Sequence, residues 1–430
     1  ASEGDGNDEA DGWSMWSGAL RIDRELKAGK LSATVRGSRS DFDIDDWGGP
    51  GGDDPNATSW KNDLTGAITW RGQFREGWEQ QLTIGSSRIH RGLRDRKDPG
   101  ITDDETSSGD YLGISQNVEW HHTLLLRGQQ IAAGLTLERQ QGRSRYESVS
   151  TWGTFTNDVP QARQSSVALY LQDQIMVAGV ALTIGGRVDA YTDYGVQPTG
   201  RMAAATRVGN ARLRFSVGTG FRAPSIYQRF SPDFGNSALE AETSTGWDAG
   251  LEVPVMQRGA VEITHYRQKI DNLIEFVTDE VTWVSNYRNR GSVRLEGWEA
   301  EARLALSGSV GLDASATIMD AVDELTGEDL VRRPDMSLSV GVMVHPVSGI
   351  STSVRARRIG TRKDRDLSAP PYPVIDLDPV TLVEGEVSWQ FSETLMLRLK
   401  VRNLTDASPV WVWGYGSMGR SIYLGFVFRR

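Results

Sequence analysis

The sequence predicts an all-β fold, a transmembrane antiparallel β-barrel, and three observations carry that prediction. Apolar and polar residues alternate with a period of two over unusually long runs. Short turns and long polar loops alternate between those runs. No apolar run approaches the roughly 20 residues of a membrane helix, although Gly (47) and Trp (14) are abundant.

Each run is read in the same way. Val180, Leu182, Ile184 and Val188 alternate with Thr183, Arg187, Asp189 and Tyr191. Ala211, Leu213, Phe215, Val217 and Phe221 fall on one parity, with Arg212, Arg214, Ser216 and Arg222 on the other. Trp298, Ala300, Ala302, Leu304 and Leu306 alternate with Glu299, Glu301 and Arg303; Leu395, Leu397, Leu399 and Val401 alternate with Arg398, Lys400 and Arg402. Ile422, Leu424, Phe426 and Phe428 close the series. Period two describes a strand with one face in an apolar medium and the other in water. Soluble sandwich strands are typically about 5–6 residues long, whereas these reach the roughly 9–11 of a tilted membrane strand.

Tight turns are expected at Lys27–Gly29, Arg75–Gly77, Arg127–Gly128, Ala178–Gly179, Gly209–Asn210, Arg258–Gly259, Gly308, Ser348–Gly349 and Ser392–Glu393. Long loops are expected at 41–60, 92–110, 142–163, 222–242, 271–289, 320–333, 361–379 and 405–420, with a short link at 192–197. Outer-membrane barrels show this asymmetry, with short periplasmic turns and longer extracellular loops. The bookkeeping gives about 19 strands over residues 12–430, after an acidic leader at 1–11 expected to be disordered. It starts the chain on the extracellular side and ends it in the periplasm. Single-chain bacterial barrels have even strand numbers, so further strands are expected from elsewhere, unless an odd barrel closes through parallel first and last strands.

Composition excludes other classes. The chain has 430 residues and a net charge of −10, the wrong sign for a nucleic-acid partner. With no Cys there is no thiolate metal site, disulfide or cysteine nucleophile. The five His (His90, His121, His122, His265, His345) show no metalloprotease spacing, and no acid–base–nucleophile set converges, so an enzyme is not expected.

Eight segments then resemble the barrel of a TonB-dependent outer-membrane receptor, with the cobalamin- and siderophore-receptor branch closest. They are SSVALYLQDQ (165–174), GTGFRAPSIYQRF (218–230), LEAETSTGWDAGLE (239–252), IDNLIEF (270–276), NRGSVRLEGWEAE (289–301), LVRRPD (330–335), RRIGTRKDRD (357–366) and VRNLTDASPV (401–410). The resemblance implies a 22-strand barrel of which this chain supplies 19. It also implies a plug-bearing N-terminal polypeptide supplying the other three strands, and contact with TonB only through that plug. The family commonly ends on an aromatic residue; here Phe428 is followed by Arg429 and Arg430.

Three sets of residues are candidates for a site. Asp41, Asp43, Asp45 and Asp53 lie in an acidic loop whose oxygens are candidate Ca²⁺ ligands. The EF-hand pattern fails there, and a merely solvated loop is the alternative; the cobalamin-receptor branch is similar in using loop aspartates for calcium. Trp152, Tyr227, Trp283, Trp411, Trp413 and Tyr415, with Phe155, Phe230, Phe234 and Tyr287, are candidates to stack on a ligand at the extracellular mouth. Their alternative is the aromatic girdle of the membrane interface. Arg187, Arg214, Arg222, Glu299, Arg303, Arg398 and Lys400 are expected to face the lumen and dock a plug, the alternative being a ladder of cross-strand ion pairs. The expected function is import of a scarce, bulky nutrient, a siderophore chelate or a corrinoid, through the bacterial outer membrane. A structural barrel anchoring an envelope complex and a passive porin are the competing expectations.

Overall fold

The computed structural model describes residues 12–44, 54, 56–98, 105–278, 284–366, 372–415 and 417–428. In chain order the strands are β1 (Trp13–Leu26), β2 (Gly29–Asp43), β3 (Thr58–Arg75), β4 (Trp78–Asp95), β5 (Thr106–Leu126), β6 (Gln129–Ser150), β7 (Gly153–Thr156), β8 (Val159–Val177), β9 (Val180–Tyr191), β10 (Gly195–Val208) and β11 (Ala211–Arg222). A five-residue helix, α1 (Ile226–Phe230), follows. Then come β12 (Glu242–Val255), β13 (Gly259–Thr278), β14 (Ser285–Ala305), β15 (Val310–Asp323), β16 (Met336–Val344), β17 (Ile350–Ile359), β18 (Arg362–Arg365), β19 (Val374–Leu377), β20 (Val380–Gln390), β21 (Leu395–Arg402) and β22 (Ser421–Phe428).

One antiparallel sheet of 20 strands contains all of these except the β18–β19 hairpin. Within it β7 is only a four-residue arm that continues the line of β8 along β6. Setting β7 aside leaves 19 wall strands, each paired with its neighbour in sequence, as the turn-and-loop bookkeeping expects. All nine short turns fall where the sequence places them, so β1 starts at the long-loop end of the wall and β22 finishes at the short-turn end. Among the described residues β1 forms a ladder only with β2, and β22 only with β21. Among the described residues the wall is therefore open along two edges.

Registers fix which side chains share a face. Leu213 pairs with Leu251, Leu251 with Ile263 and Ile263 with Ala300, so one apolar row crosses four strands. The next row of the same face runs Phe215, Ala249, His265, Trp298. On the opposite face Arg214 reaches Glu262 and Thr264, and Ser216 reaches Asp248. The apolar face stays exposed, with Leu424 66%, Leu171 60% and Ile318 60% accessible, as a lipid-facing wall requires.

The long loops differ from expectation in one respect. β5, β6, β13 and β14 have 21, 22, 20 and 21 residues, twice what a membrane crossing needs. The segments expected as loops at 142–163 and 271–289 are thus largely hairpin. Beyond the lipid both faces of a hairpin meet water, so the alternation that marks a strand disappears while its backbone ladder continues.

Candidate functional site

At the long-loop end, the β11–β12 connection folds back over the wall. Pro224 and Ser225 start α1: the Gln228 N–H donates to Ser225 Oγ (3.2 Å), and the Ser225 N–H donates to Gln228 Oε1 (2.9 Å), satisfying two otherwise orphaned donors. The helix seats against β6 because Gly142 has no side chain; a Cβ there would stand 3.3 Å from Ile226 Cγ2. Asn157, buried between β7 and β8, staples this cover down by donating to Ser231 Oγ (3.2 Å) and Asp233 Oδ2 (2.8 Å). Below α1 the Arg222 guanidinium pairs with Glu242, which is 5% exposed and also accepts the Ile274 N–H (2.8 Å). That carboxylate ties β11, β12 and β13 together.

A cavity of about 630 Å³ opens beneath this cover. Its walls are Tyr111 and Tyr146 from β5 and β6, Phe155 from β7, Tyr227 from α1 and Phe234 beyond it, with Arg91 and Arg143 at its margin. The rings form a chain: Tyr146 to Phe155 (6.3 Å between centroids), Phe155 to Phe234 (6.2 Å), Phe234 to Phe276 (5.4 Å), Phe276 to Tyr287 (5.2 Å) and Tyr287 to Tyr227 (6.3 Å). Arg91 lies 4.9 Å over the Tyr111 ring. Aromatic faces beside a guanidinium suit a flat or ring-bearing anion.

A second cavity of about 510 Å³ lies across the wall near β17, β20, β21 and β22. Arg355, Arg357, Lys400 and Arg402 line it together with Trp411 and Tyr423. Arg362 stacks over Trp411 at 5.7 Å. Two residues beyond Trp411, the Trp413 backbone joins a node that local sequence does not reveal. Asp364 on β18 is fully buried and accepts from Arg332 Nε (2.8 Å), the Trp413 N–H (2.8 Å) and the Arg365 N–H (2.9 Å). Burial opposes its charge, but these three donors outweigh burial and hold the carboxyl below the usual carboxylate range. One side chain thus joins three long loops. The signal was an Asp inside the Arg-rich run RRIGTRKDRD, whose partner lies in LVRRPD.

The candidate residues divide accordingly. Tyr227, Phe155, Phe234 and Tyr287 meet in the first group of rings, Trp411 lines the second cavity, Trp413 gives its backbone N–H to Asp364, and the Tyr415 N–H donates to the Val412 carbonyl (3.2 Å). Trp152 stands alone at the β6–β7 turn, 97% exposed. Phe230 packs on Arg229 (5.2 Å), away from the ring chain. Trp283 lies outside the described residues. The lumen set shares one face and is largely ion-paired: Arg187 with Asp189 (2.8 Å), Arg214 with Glu262, Arg303 with Glu301 (3.2 Å), Arg398 with Glu386 (3.1 Å) and Lys400 with Glu384 (3.3 Å). Glu299 stands on the same face, opposite Thr264 and Thr317. Of the aspartates, Asp41 is held by Arg39 (3.0 Å) and Asp43 accepts the Gly12 N–H (2.9 Å). Asp45 and Asp53 lie outside the described residues. Among the described residues no three His, Asp or Glu converge as a metal site.

A wall of 19 strands, apolar on one face, charged on the other and carrying its cavities under the long loops, defines a membrane-barrel receptor. The family comparison gives the class its name. Residues 2–404 match the family described as "TonB dependent receptor-like, beta-barrel", and the chain belongs to that family. Its members are outer-membrane transport receptors and not enzymes. Among solved structures, the chain is similar to the copper transporter OprC (TM-score 0.81, 13% identity, 97% of this chain and 72% of that one). It is also similar to the siderophore receptor PirA from Acinetobacter baumannii (0.76, 14%, 97% and 71%). A third is the ferric-catecholate import receptor Fiu from E. coli K12 (0.76, 13%, 99% and 76%). At these identities the likeness concerns the fold.

Proposed function

We propose that this wall serves a receptor which captures a siderophore chelate at its long-loop mouth for TonB-dependent import. The supporting observation is the 630 Å³ cavity under α1, where five aromatic side chains and Arg91 converge. A corrinoid is the second nutrient class expected from the sequence, and the same assay addresses it. Binding of a ferric catecholate, a ferric hydroxamate and a corrinoid to the assembled receptor is measured with Tyr227→Ala and Arg91→Gln. Each substitution is expected to weaken one ligand about tenfold, or ~1.4 kcal/mol. Unchanged affinity for all three with both variants would remove the cavity from consideration.

In this proposal the lumen charges dock a plug, and additional strands on a plug-bearing polypeptide close the edges at β1 and β22. Bare backbone in lipid costs several kcal/mol per group, which supports covered edges. TonB would act through that plug, with the long loops extracellular. Because the chain contains no cysteine, paired cysteines introduced along β1 and β22 report directly. Crosslinking between them would demonstrate a closed 19-strand barrel; crosslinking of each to other strands supports completion. Ca²⁺ at Asp41, Asp43, Asp45 and Asp53 is proposed on the same terms. Chelation is then expected to make residues 41–58 protease-sensitive without unfolding the barrel.

A further inference from the structure

The outward face of β2 to β6 carries a groove of about 700 Å³. Two rows of side chains form its banks. Ala33, Ile68, Ile84, Val118 and Leu137 are paired in register across the five strands on one side. Val35, Gly66, Ser86, Gln116 and Arg139 are paired in register on the other. The floor is the backbone between the rows, reachable because Ala33, Gly66 and Ser86 are small. The groove is thus apolar along one bank and ends at a guanidinium on the other.

Arg139 is not alone. Two residues further toward the long-loop end, the next row of the same face contains Arg88 on β4 and Arg163 on β8, both exposed. Strand spacing and rise put these backbones roughly 8–12 Å from Arg139, within mutual reach of extended arginine side chains. Among the described residues none of the three makes an ion pair or hydrogen bond, while Arg39, His90, Arg143 and Arg145 on the same face meet Asp41, Asp110, Glu147 or Asp158. Arg139 lies ten residues beyond Gln129, the first residue of β6. At the usual tilt that distance climbs roughly 25 Å, the height of the apolar band of such barrels. Three cations without a partner among the described residues therefore sit where lipid chains give way to headgroups, directly above the groove.

We propose that this surface is a lipid site: an acyl chain lies in the groove, and the phosphate of the same membrane lipid is held by Arg139, Arg163 and Arg88. Charge complementarity selects the occupant, since a cation at that depth without a carboxylate needs an anion from outside the chain.

The test uses the assembled receptor in phosphatidylcholine nanodiscs containing a minor fraction of phosphatidic acid with the same chains. Lipid retained after transfer to mild detergent is read by native mass spectrometry. The native protein should retain phosphatidic acid in preference to phosphatidylcholine. The double variant Arg139→Gln with Arg163→Gln should lose that preference roughly tenfold or more. Gly66→Leu, where a Cβ meets nothing closer than 3.8 Å, should fold and lose retention by filling the slot. Arg207→Gln, on the lumen face of β10, should behave as the native protein. Heat-modified mobility on gels confirms that each variant is folded. Equal retention by native protein and the double variant, or unaltered retention by Gly66→Leu, would overturn the proposal. So would displacement of the lipid by inorganic phosphate alone, which would leave a simple anion site.

Discussion

Two stretches of the outward face stand at the same height and solve the same electrostatic problem in opposite ways. On β13 to β15 the outward cations at this height, Arg267, Lys269 and Arg294, each find a carboxylate within the wall. Arg294 reaches Glu296 (3.2 Å), Asp320 (3.1 Å) and Glu324 (3.9 Å); Lys269 reaches Asp271 (3.1 Å) and Glu324 (3.2 Å); Arg267 reaches Glu296 (3.7 Å). On β4 to β8, Arg88, Arg139 and Arg163 have no such partner among the described residues. The first stretch is neutralised by its own chain and is indifferent to what surrounds it. The second depends on what the membrane offers. Identical strand geometry thus gives one surface that is finished and one that is receptive.

The largest effect should come from the apolar belt that both stretches share. Leu135→Arg beneath the receptive band and Ile263→Arg beneath the neutralised one should each cost about 2–4 kcal/mol in assembly, read as the fraction of folded barrel in vesicles. A clear difference between them would show that the belts are not equivalent. Next, Arg294→Gln should leave Asp320 without a cation and take one of the cations from Glu296 and from Glu324, lowering stability by about 1 kcal/mol in urea titration. By contrast, Arg139→Gln in a neutral bilayer should change stability by less than about 0.5 kcal/mol.

Acid should separate the stretches as well. The bond from Lys269 to Glu324, aided by Ser292 against the opposing effect of burial, holds the Glu324 carboxyl below its ordinary value. A depressed carboxyl contributes stability above its unfolded pKa and loses it as pH falls through the folded one. Hydrogen exchange near 320–336 should therefore rise once the pH drops below the usual carboxylate range, while exchange near Arg88 should not. The smallest effect expected is at the Asp364 node. Asp364→Asn removes a charge but keeps an acceptor, so proteolysis should increase within 361–379 and 403–420 with the barrel melting point unchanged.

Much of this was legible in the sequence, and the reason is physical. Where lipid meets one face and water the other, as along Leu213, Phe215 and Val217, period two is forced and the strands declare themselves. The nine turns are equally plain, because Gly29, Gly77, Gly128, Gly179, Gly209 and Gly349 adopt positive φ in tight connections. Legibility fails outside the membrane. Residues 142–150 of β6 and 285–289 of β14, rich in polar side chains, read as loop. The Asp364 node joins residues more than thirty positions apart, and no local pattern encodes that distance. The aromatic set was identified by residue type, but its division between two cavities depends on α1 folding back over Gly142, which register alone does not specify.

The unequal strand lengths have a mechanical consequence. Around β5, β6, β13 and β14 the wall is a continuous hydrogen-bonded ladder standing well above the lipid, whereas β16, β17, β21 and β22 have only 9, 10, 8 and 8 residues. On that low side the rim is built of connections joined by isolated bonds, the Asp364 carboxylate and the Arg332 N–H to Lys363 carbonyl bond (2.6 Å) among them. One part of the mouth is thus a stiff parapet and another a latch, so any widening that admits a bulky cargo falls to the side where a few separate bonds, not a ladder, have to let go.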